Sequence, residues 1–474
     1  MLGLFGTLNL AARSLQTQMT GVEVAGQNLA NVNTTGYSRQ RVNIQTSPDV
    51  TTGIGPEGTG ANAVAIQQLV NSLLNSQIQN QSGVSGYWNA QQSALQSAQT
   101  ALNEFLNGTS SSDGASSSSG VTSSGLSSQL TSLFSAFQSL AASPASMTAR
   151  QAVINQAQSL AYTFNHVDSQ LNTLGDSLNT TLSNDVNSAN KLLSDIADLN
   201  RQISYAEFNG GTANDLLDAR ERDLENLSQL ATIQTSTGTG NSVNVSIGGQ
   251  TLVSGNQMLD TLQTYDAGSG QLLVQTATGG TPLTLAGGSI QGTIDARDGA
   301  LATMRNSLNT LASTLITQVN AIHSGGYSLT GSSGANFFSG ADAGTITVNA
   351  SLANDPSLIQ ASGSSTASGD NTVALALAQL ASASQAGLNN QTFGGAYIQT
   401  VASFGDALQT ANDQVTSQTA VTSMLQTQRD SVSGVNVDEE MTNLMGFQRA
   451  YEASAQLVTT INTLMGDTLA MKNS

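Results

Sequence analysis

The sequence predicts a mainly α-helical, elongated, multi-domain chain with a β-rich domain inserted near its middle. Three observations carry this. Apolar residues recur every seven positions at both ends of the chain. A helical pattern of more than fifty residues runs through its first half. Strict alternation with a Gly-Gly turn is confined to the middle.

At the N-terminus Leu8, Leu15, Val22 and Leu29 form the heptad row, with Ala11, Ala25 and Val32 at the complementary spacing. At the C-terminus Val437, Leu444, Tyr451, Val458 and Met465 repeat the pattern, joined by Phe447 and Ile461. Asn436 is placed to cap that helix, with Glu439 three residues on to complete a capping box. Neither helix has a core of its own, so each needs a partner. The nearest candidate for each is the other, and the two are expected to pair as a coiled-coil-like terminal domain, residues 1–45 plus 435–474. The helix rows are the expected assembly interface.

A long helical-bundle rod domain is expected from residues 46–231, 293–323 and 372–434. Its longest element is read from Val153, Leu160, Val167 and Leu174, interleaved with Ala157, Phe164, Leu171 and Leu178 and continuing through Leu182, Ala189, Ile196 and Ile203. As one helix, residues 153–203 span about 75 Å at 1.5 Å per residue. Further helices are marked by Trp88, Leu95, Ala98, Leu102 and Phe105, by Leu301, Met304, Leu308, Leu311, Leu315 and Ile322, and by Tyr397, Val401, Phe404, Leu408, Ala411, Val415, Leu425 and Val432. The Ser/Gly tract from Gly108 to Gly125 holds too little apolar surface to pack and reads as a loop. The β-rich outer domain is assigned to 232–292 plus 324–371. There Val243, Val245 and Ile247 alternate, Gly248-Gly249 supplies the turn, Leu252-Val253 returns, and Thr345 to Val348 alternates again.

Composition narrows the function classes. The net charge of the 474-residue chain is −18, the opposite of a nucleic-acid footprint. The charge is uneven: Arg13, Arg39 and Arg41 outweigh Glu23 at the N-terminal end, while Asp438, Glu439, Glu440, Glu452 and Asp467 outweigh Arg449 and Lys472 at the other. The two ends are therefore electrostatically complementary. Charged residues are only 9% of the chain, so its surface is largely uncharged and polar, suited to being covered by copies or partners. There is no cysteine, hence no disulfide or thiolate metal site. No apolar run is long enough to cross a bilayer, and the first basic residue, Arg13, follows rather than precedes the apolar stretch, unlike a signal-peptide n-region.

Catalytic signals fail on physical grounds. Gly53-Ile54-Gly55-Pro56-Glu57-Gly58 spells a dinucleotide fingerprint, but Pro56 removes an N–H and Glu57 would sit against a pyrophosphate. The two histidines, His166 and His323, lie on separate helices without ligand spacing. Asp438-Glu439-Glu440 do not share a helix face and favour the helix dipole instead. No cofactor, metal or enzymatic activity is expected.

Leu29-Ala30-Asn31-Val32-Asn33-Thr34-Thr35-Gly36-Tyr37 resembles the signature of flagellar rod and hook axial proteins, as does the segment from Ser433 through Glu440 to Tyr451 at the other end. Tyr37-Ser38-Arg39-Gln40, Ala149-Arg150-Gln151-Ala152-Val153, the motif Asn214-Asp215-Leu216-Leu217-Asp218-Ala219-Arg220, and Asn320-Ala321-Ile322-His323 with Phe337-Phe338 resemble the hook-associated protein 1 family within that superfamily. Signature residues carried over are Asn31, Thr34, Gly36, Tyr37, Asn214, Leu217, Asp218 and Arg220. Glu221 stands where the family usually has Asp, and the stretch after Phe338 is too short for the second outer β domain of longer members. The resemblance implies a structural adaptor between hook and filament, exported unfolded through the flagellar type III apparatus to the cell exterior with an export chaperone. It also implies a ring of copies in contact with hook protein and with an adjacent hook-associated protein or the filament. The alternatives are another hook or rod protein, or a secreted adhesin using the β domain.

Overall fold

The computed structural model of the chain describes residues 3–52, 55–106, 125–268 and 270–472. Gly53, Ile54 and all of the expected Ser/Gly loop but Gly125 lie outside these, and the side chains of Leu102 and Phe105 are likewise not described. The fold is mainly helical with small sheets. It opens with α1 (Leu4–Ala30), then an antiparallel pair β1 (Gln40–Thr46) and β4 (Ala61–Gln68) that carries a small hairpin, β2 (Val50–Thr52) and β3 (Gly55–Glu57), at its tip. Helices α2 (Ser72–Leu106), α3 (Leu126–Ala142), α4 (Met147–Phe208) and α5 (Asn214–Leu230) follow. The sheet β5 (Ile233–Thr237), β6 (Val243–Ile247), β7 (Gln250–Ser254) and β8 (Gln257–Met258) is a meander, and β9 (Leu262–Asp266) pairs with β10 (Leu272–Thr276). Then come α6 (Gly288–Asp295), a π-helical turn at Ala296–Leu301, α7 (Ala302–His323), the two-residue strands β11 (Phe338–Ser339) and β12 (Thr347–Val348), α8 (Ala350–Asn354) and α9 (Thr372–Gln379). The chain closes with α10 (Phe393–Ser433) and α11 (Val437–Lys472).

The 62-residue helix α4 is the longest element, about 93 Å at 1.5 Å per residue. Ser146 caps it, its side chain accepting from the Ala149 N–H at 3.3 Å. Its apolar rows serve two separate cores. From Val153 to Leu178 they pack with α3, α7, α9 and the first half of α10. From Leu182 to Ile203 they pack with α5, α6 and the strands β5, β6, β7, β9 and β10. The β region thus lies along the second half of α4, held by side-chain amides: Asn190 exchanges two bonds with Leu262, and Asn200 Nδ2 donates to the carbonyls of Val243 and Gly255. The β6–β7 turn is the expected one, with Gly248 at φ 55° and Gly249 at φ 80°, as a type I′ turn requires.

Two sequence expectations are corrected. Residues 324–371, grouped above with the β domain, contribute Phe337, Phe338, Ile346, Leu352 and Ile359 to the first, helical core, and only two-residue strands form there. Their apolar residues are buried by α3, α4 and α7 rather than by a sheet, so alternation was a poor guide. Strands are also not confined to the middle, since β1 and β4 pair next to α1, where Val42, Ile44, Val64 and Ile66 carry the alternation that went unread.

Arg150 and His323 pin the 324–371 segment. Arg150, almost wholly buried, donates to the carbonyls of Pro144 and Ile359, and burial lowers its pKa to about 10. His323 is buried between Ala335 O, 2.8 Å from Nδ1, and the Gln360 N–H, which donates to Nε2 at 2.9 Å. This pairing fixes the neutral imidazole with its proton on Nδ1. Burial lowers the pKa of His323 to about 4 from 6.5. A lowered value means the neutral ring stabilises the fold above pH 6.5 and that this stabilisation is lost as pH falls through 4. The parent should lose about 3 kcal/mol more between pH 7 and pH 4 than His323→Gln, which starts less stable but has nothing there to protonate. Denaturant unfolding at both pH values, with equal losses in the two proteins, would refute the assignment.

Candidate assembly site where the chain ends meet

Helices α1 and α11 run antiparallel, and three contacts fix their register. Ser14 Oγ lies 2.8 Å from Ser454 Oγ, the Gly21 Cα faces the Phe447 ring, and Asn28 Nδ2 donates to Glu440 Oε2 at 3.0 Å. The contacts advance by seven residues on each helix. A Cβ on Gly21 would come within 2.5 Å of the ring, so only glycine permits this approach.

The seam differs from the predicted leucine row. The buried residues of α1 are Ala11, Thr17, Gly21, Val24, Ala25 and Asn28, and Gly21, Asn28 and half-buried Ser14 make the register contacts with α11, while Leu8, Leu15, Val22 and Leu29 lie half-buried on the flank. On α11, Ile461 is buried and Leu444, Phe447, Val458 and Met465 are half-buried, whereas Val437 and Tyr451 are exposed. Small residues win the seam because they let the helix axes approach, and leucines would hold them apart. The recurrence of Ala11, Ser14, Gly21, Ala25 and Asn28 was the available signal.

Beyond α1 the chain folds back onto Asn28. Thr34 Oγ1 donates to Asn31 Oδ1, Gly36 takes φ 80°, and the Tyr37 hydroxyl donates to Asn28 Oδ1 at 2.9 Å. The Gln40 N–H donates to the same oxygen, while Asn28 Nδ2 also donates to Gln40 O. Arg39 donates through Nε to Glu440 Oε1 at 2.8 Å and through Nη1 to Glu439 Oε2 at 2.7 Å. Glu440 is only 3% exposed, so its charge is met almost wholly by Arg39 and Asn28. The three acids 438–440 therefore do more than favour the helix dipole, and Glu439 reaches Arg39 rather than closing the expected box, although Asn436 Oδ1 does cap Asp438 N.

The internal motif meets this node from α5. Ser38 N donates to Asp218 Oδ2 at 2.9 Å, Gln40 Nε2 to Asp215 Oδ1, and Asn214 Nδ2 to Gln40 Oε1. Gln68, at the end of β4, donates to Asn214 O, and Arg39 N to Ser433 O at the end of α10. Leu217 is half-buried beside them. Arg220 points away, donating to Asn200 Oδ1 and Asn241 O, and so ties α5 to α4 and the β5–β6 loop. Sequence reading missed Asn28, Gln68 and the Arg429–Glu225 ion pair, none of which belongs to a motif. Burial raises the carboxyls of Asp218, Glu221 and Glu225, and burial together with Asp215, Asp218 and Glu440 raises the Tyr37 phenol to about 12. These groups position backbone. No nucleophile stands beside a base among them, and among the described residues no three His, Cys, Asp or Glu side chains are grouped to hold a metal.

A family profile described as flagellar hook-associated protein FlgK helical domain matches residues 116–338, and one described as flagellar basal body rod FlgEFG protein C-terminal matches 426–471. Flagellar hook-associated protein 1 of Bacillus subtilis is 27% identical, covering 98% of both chains, and that of Salmonella typhimurium is 25% identical, covering 96% of this chain and 98% of its own. Over nearly its whole length the chain is similar to flagellar hook-associated protein 1. The solved flagellar hook junction protein FlgK from Burkholderia pseudomallei shares the fold, with a TM-score of 0.63 at 20% identity over 76% of this chain and 100% of that one. The family's motifs are thus the residues that join α1, α5, α10 and α11.

Gly21→Leu should push α1 off α11, and Phe447→Ala in the same chain should restore the pairing. Hydrogen exchange of α1 amides reads both, and unchanged protection in Gly21→Leu would refute the close approach. Glu221, whose folded pKa is raised, stabilises the fold below its unfolded value near 4.5 and loses that contribution as pH rises through the folded value. Glu221→Gln, able to keep the bond from Gln79, should therefore raise the melting temperature more at pH 7 than at pH 4.5.

Proposed function

We propose that this chain is the structural adaptor that joins the flagellar hook to the filament, and that it works by packing copies of itself through its paired ends. Its relatives carry the name flagellar hook-associated protein 1, and one solved relative is titled a flagellar hook junction protein. The observation that carries the assembly reading is the surface left open by the terminal pair. After α1 and α11 have covered each other, Phe5 and Met19 on α1 and Val437, Met441, Met445, Tyr451, Leu457 and Leu464 on α11 remain exposed. Apolar stripes of this extent mark protein contacts. The α11 stripe and the separate exposed residues Phe5 and Met19 on α1 are different surfaces of one subunit, which suits a head-to-tail interface that closes into a ring or winds into a helix.

On this reading residues 1–45 and 435–474 form the coiled-coil-like inner layer of a tube, and the Leu8, Leu15, Val22, Leu29 row adds to the contact between copies. The partners are further copies, hook protein on one side and an adjacent hook-associated protein or the filament on the other. An export chaperone would meet the chain before it passes through the type III apparatus to the cell exterior. The C-terminal profile is shared with rod proteins. The helical-domain match and the contacts of Ser38, Arg39 and Gln40 with α5 favour the hook-associated member over a hook or rod subunit.

Met441→Asp with Met445→Asp tests the stripe. Both residues are exposed, so the monomer should change stability by no more than about 0.5 kcal/mol. In a packed tube the two carboxylates would be buried without partners, at several kcal/mol per copy. Cells making only this variant should export it, build hooks, and shed unpolymerised flagellin into the medium. Normal filaments with the variant at the junction would refute the proposal.

A further inference from the structure

We infer that the rod contains a built-in bending joint at the level of residues 172–183 of α4 and the π-helical turn 296–301, where the two hydrophobic cores meet. The first core ends on α4 at Leu178 and begins on the α6–α7 strand of the chain at Ala296; the second begins at Leu182 and ends at Ile294. Both crossing segments change core within a single turn, at the same level.

Polar side chains fill that level. Tyr87 on α2 donates to Asp295 Oδ2 at 2.8 Å, Arg297 Nη1 donates to Asn179 Oδ1 at 2.5 Å, and Gln92 on α2 donates to Asn412 on α10 at 2.8 Å. Interdigitated apolar cores resist shear as units, whereas a layer held by side-chain hydrogen bonds can exchange partners at small cost.

Helices α2 and α10 also pass this level, unbroken; the other two crossing segments, α4 and α6–α7, are locally weakened. Around the change of core α4 carries Gly175, and Thr173, Thr180, Thr181 and Ser183 each donate to the carbonyl four residues back, a bond that bends helices. The other segment passes through a π turn containing Gly299, a register irregularity associated with kinks and hinges. Gly175 and Gly299 have open space where a Cβ would stand and no positive φ, so neither glycine is required by packing or backbone. The joint is a property of the single chain. Its use, allowing one subunit to seat between two unlike neighbours, rests on the proposed function.

The chain has no cysteine, so spin labels can be placed singly. Gln250→Cys and Ala341→Cys put labels on exposed residues of β7, in the sheet of the second core, and of the β11–β12 loop on the first, and Gln250→Cys with Thr237→Cys gives a control pair within that sheet. The distance distribution across the joint should be broader than the control and should narrow in Gly175→Ala, Gly299→Ala, which adds helix propensity where there is room. Amides of 172–183 should also exchange at least about ten-fold faster than those of 184–200. A cross-joint distribution as narrow as the control, or one unmoved by the two alanines in a variant that melts like the parent, overturns the joint. Filament assembly in cells plays no part in this readout, so failure here leaves the adaptor reading intact and the reverse.

Discussion

Glu440 is a carboxylate that the fold hides from water, and a buried carboxylate destabilises unless donors meet it. Here the donors come from more than four hundred residues away in the chain, as Arg39 Nε and Nη2 and Asn28 Nδ2. That requirement holds the two ends together at one register. Once Asn28 is turned toward Glu440, its oxygen is free to take Tyr37 and Gln40, and the turn at Gly36 follows. Ser38 and Gln40 then face α5, so the terminal pair is fastened to the rod by the same loop that fastens the ends to each other. Motifs far apart in sequence are parts of one hydrogen-bonded node.

The rod follows a different rule. A helix as long as α4 has more apolar face than one core can use, and it is divided between a helical partner set and a mixed one. The strands lie along α4 instead of forming an independent sandwich, because a small meander has only one apolar face to bury and the helix supplies the surface for it. The polar level between the cores follows from the same division, and only α2 and α10 run across it beside the two segments that change core.

Much of this was legible in sequence. The helices appear where the apolar period is long, and the β6–β7 turn where Gly-Gly separates alternating residues. The signature residues Gly36, Tyr37, Asn214 and Asp218 do sit together. The seam was misplaced because leucine rows stand out while Ala11, Ser14, Gly21 and Ala25 do not, although close helix approach favours the latter. Strands β1 and β4 went unread because their alternation is interrupted by a bulge at Asn43/Ile44 and diluted by alanines.

By itself, the sequence determined the period of the longest helices, though not of α3 or α5, the turn chemistry and the complementary charge of the two ends, because these depend on local spacing and residue type. Only the tertiary structure decided which face of α1 became the seam, that residues 324–371 joined the helical core, and that Arg39 rather than Arg13 or Arg41 met the acidic end. Each of those outcomes turns on how closely two backbones approach and which charges lose their water there, and neither quantity is defined until distant segments are in contact.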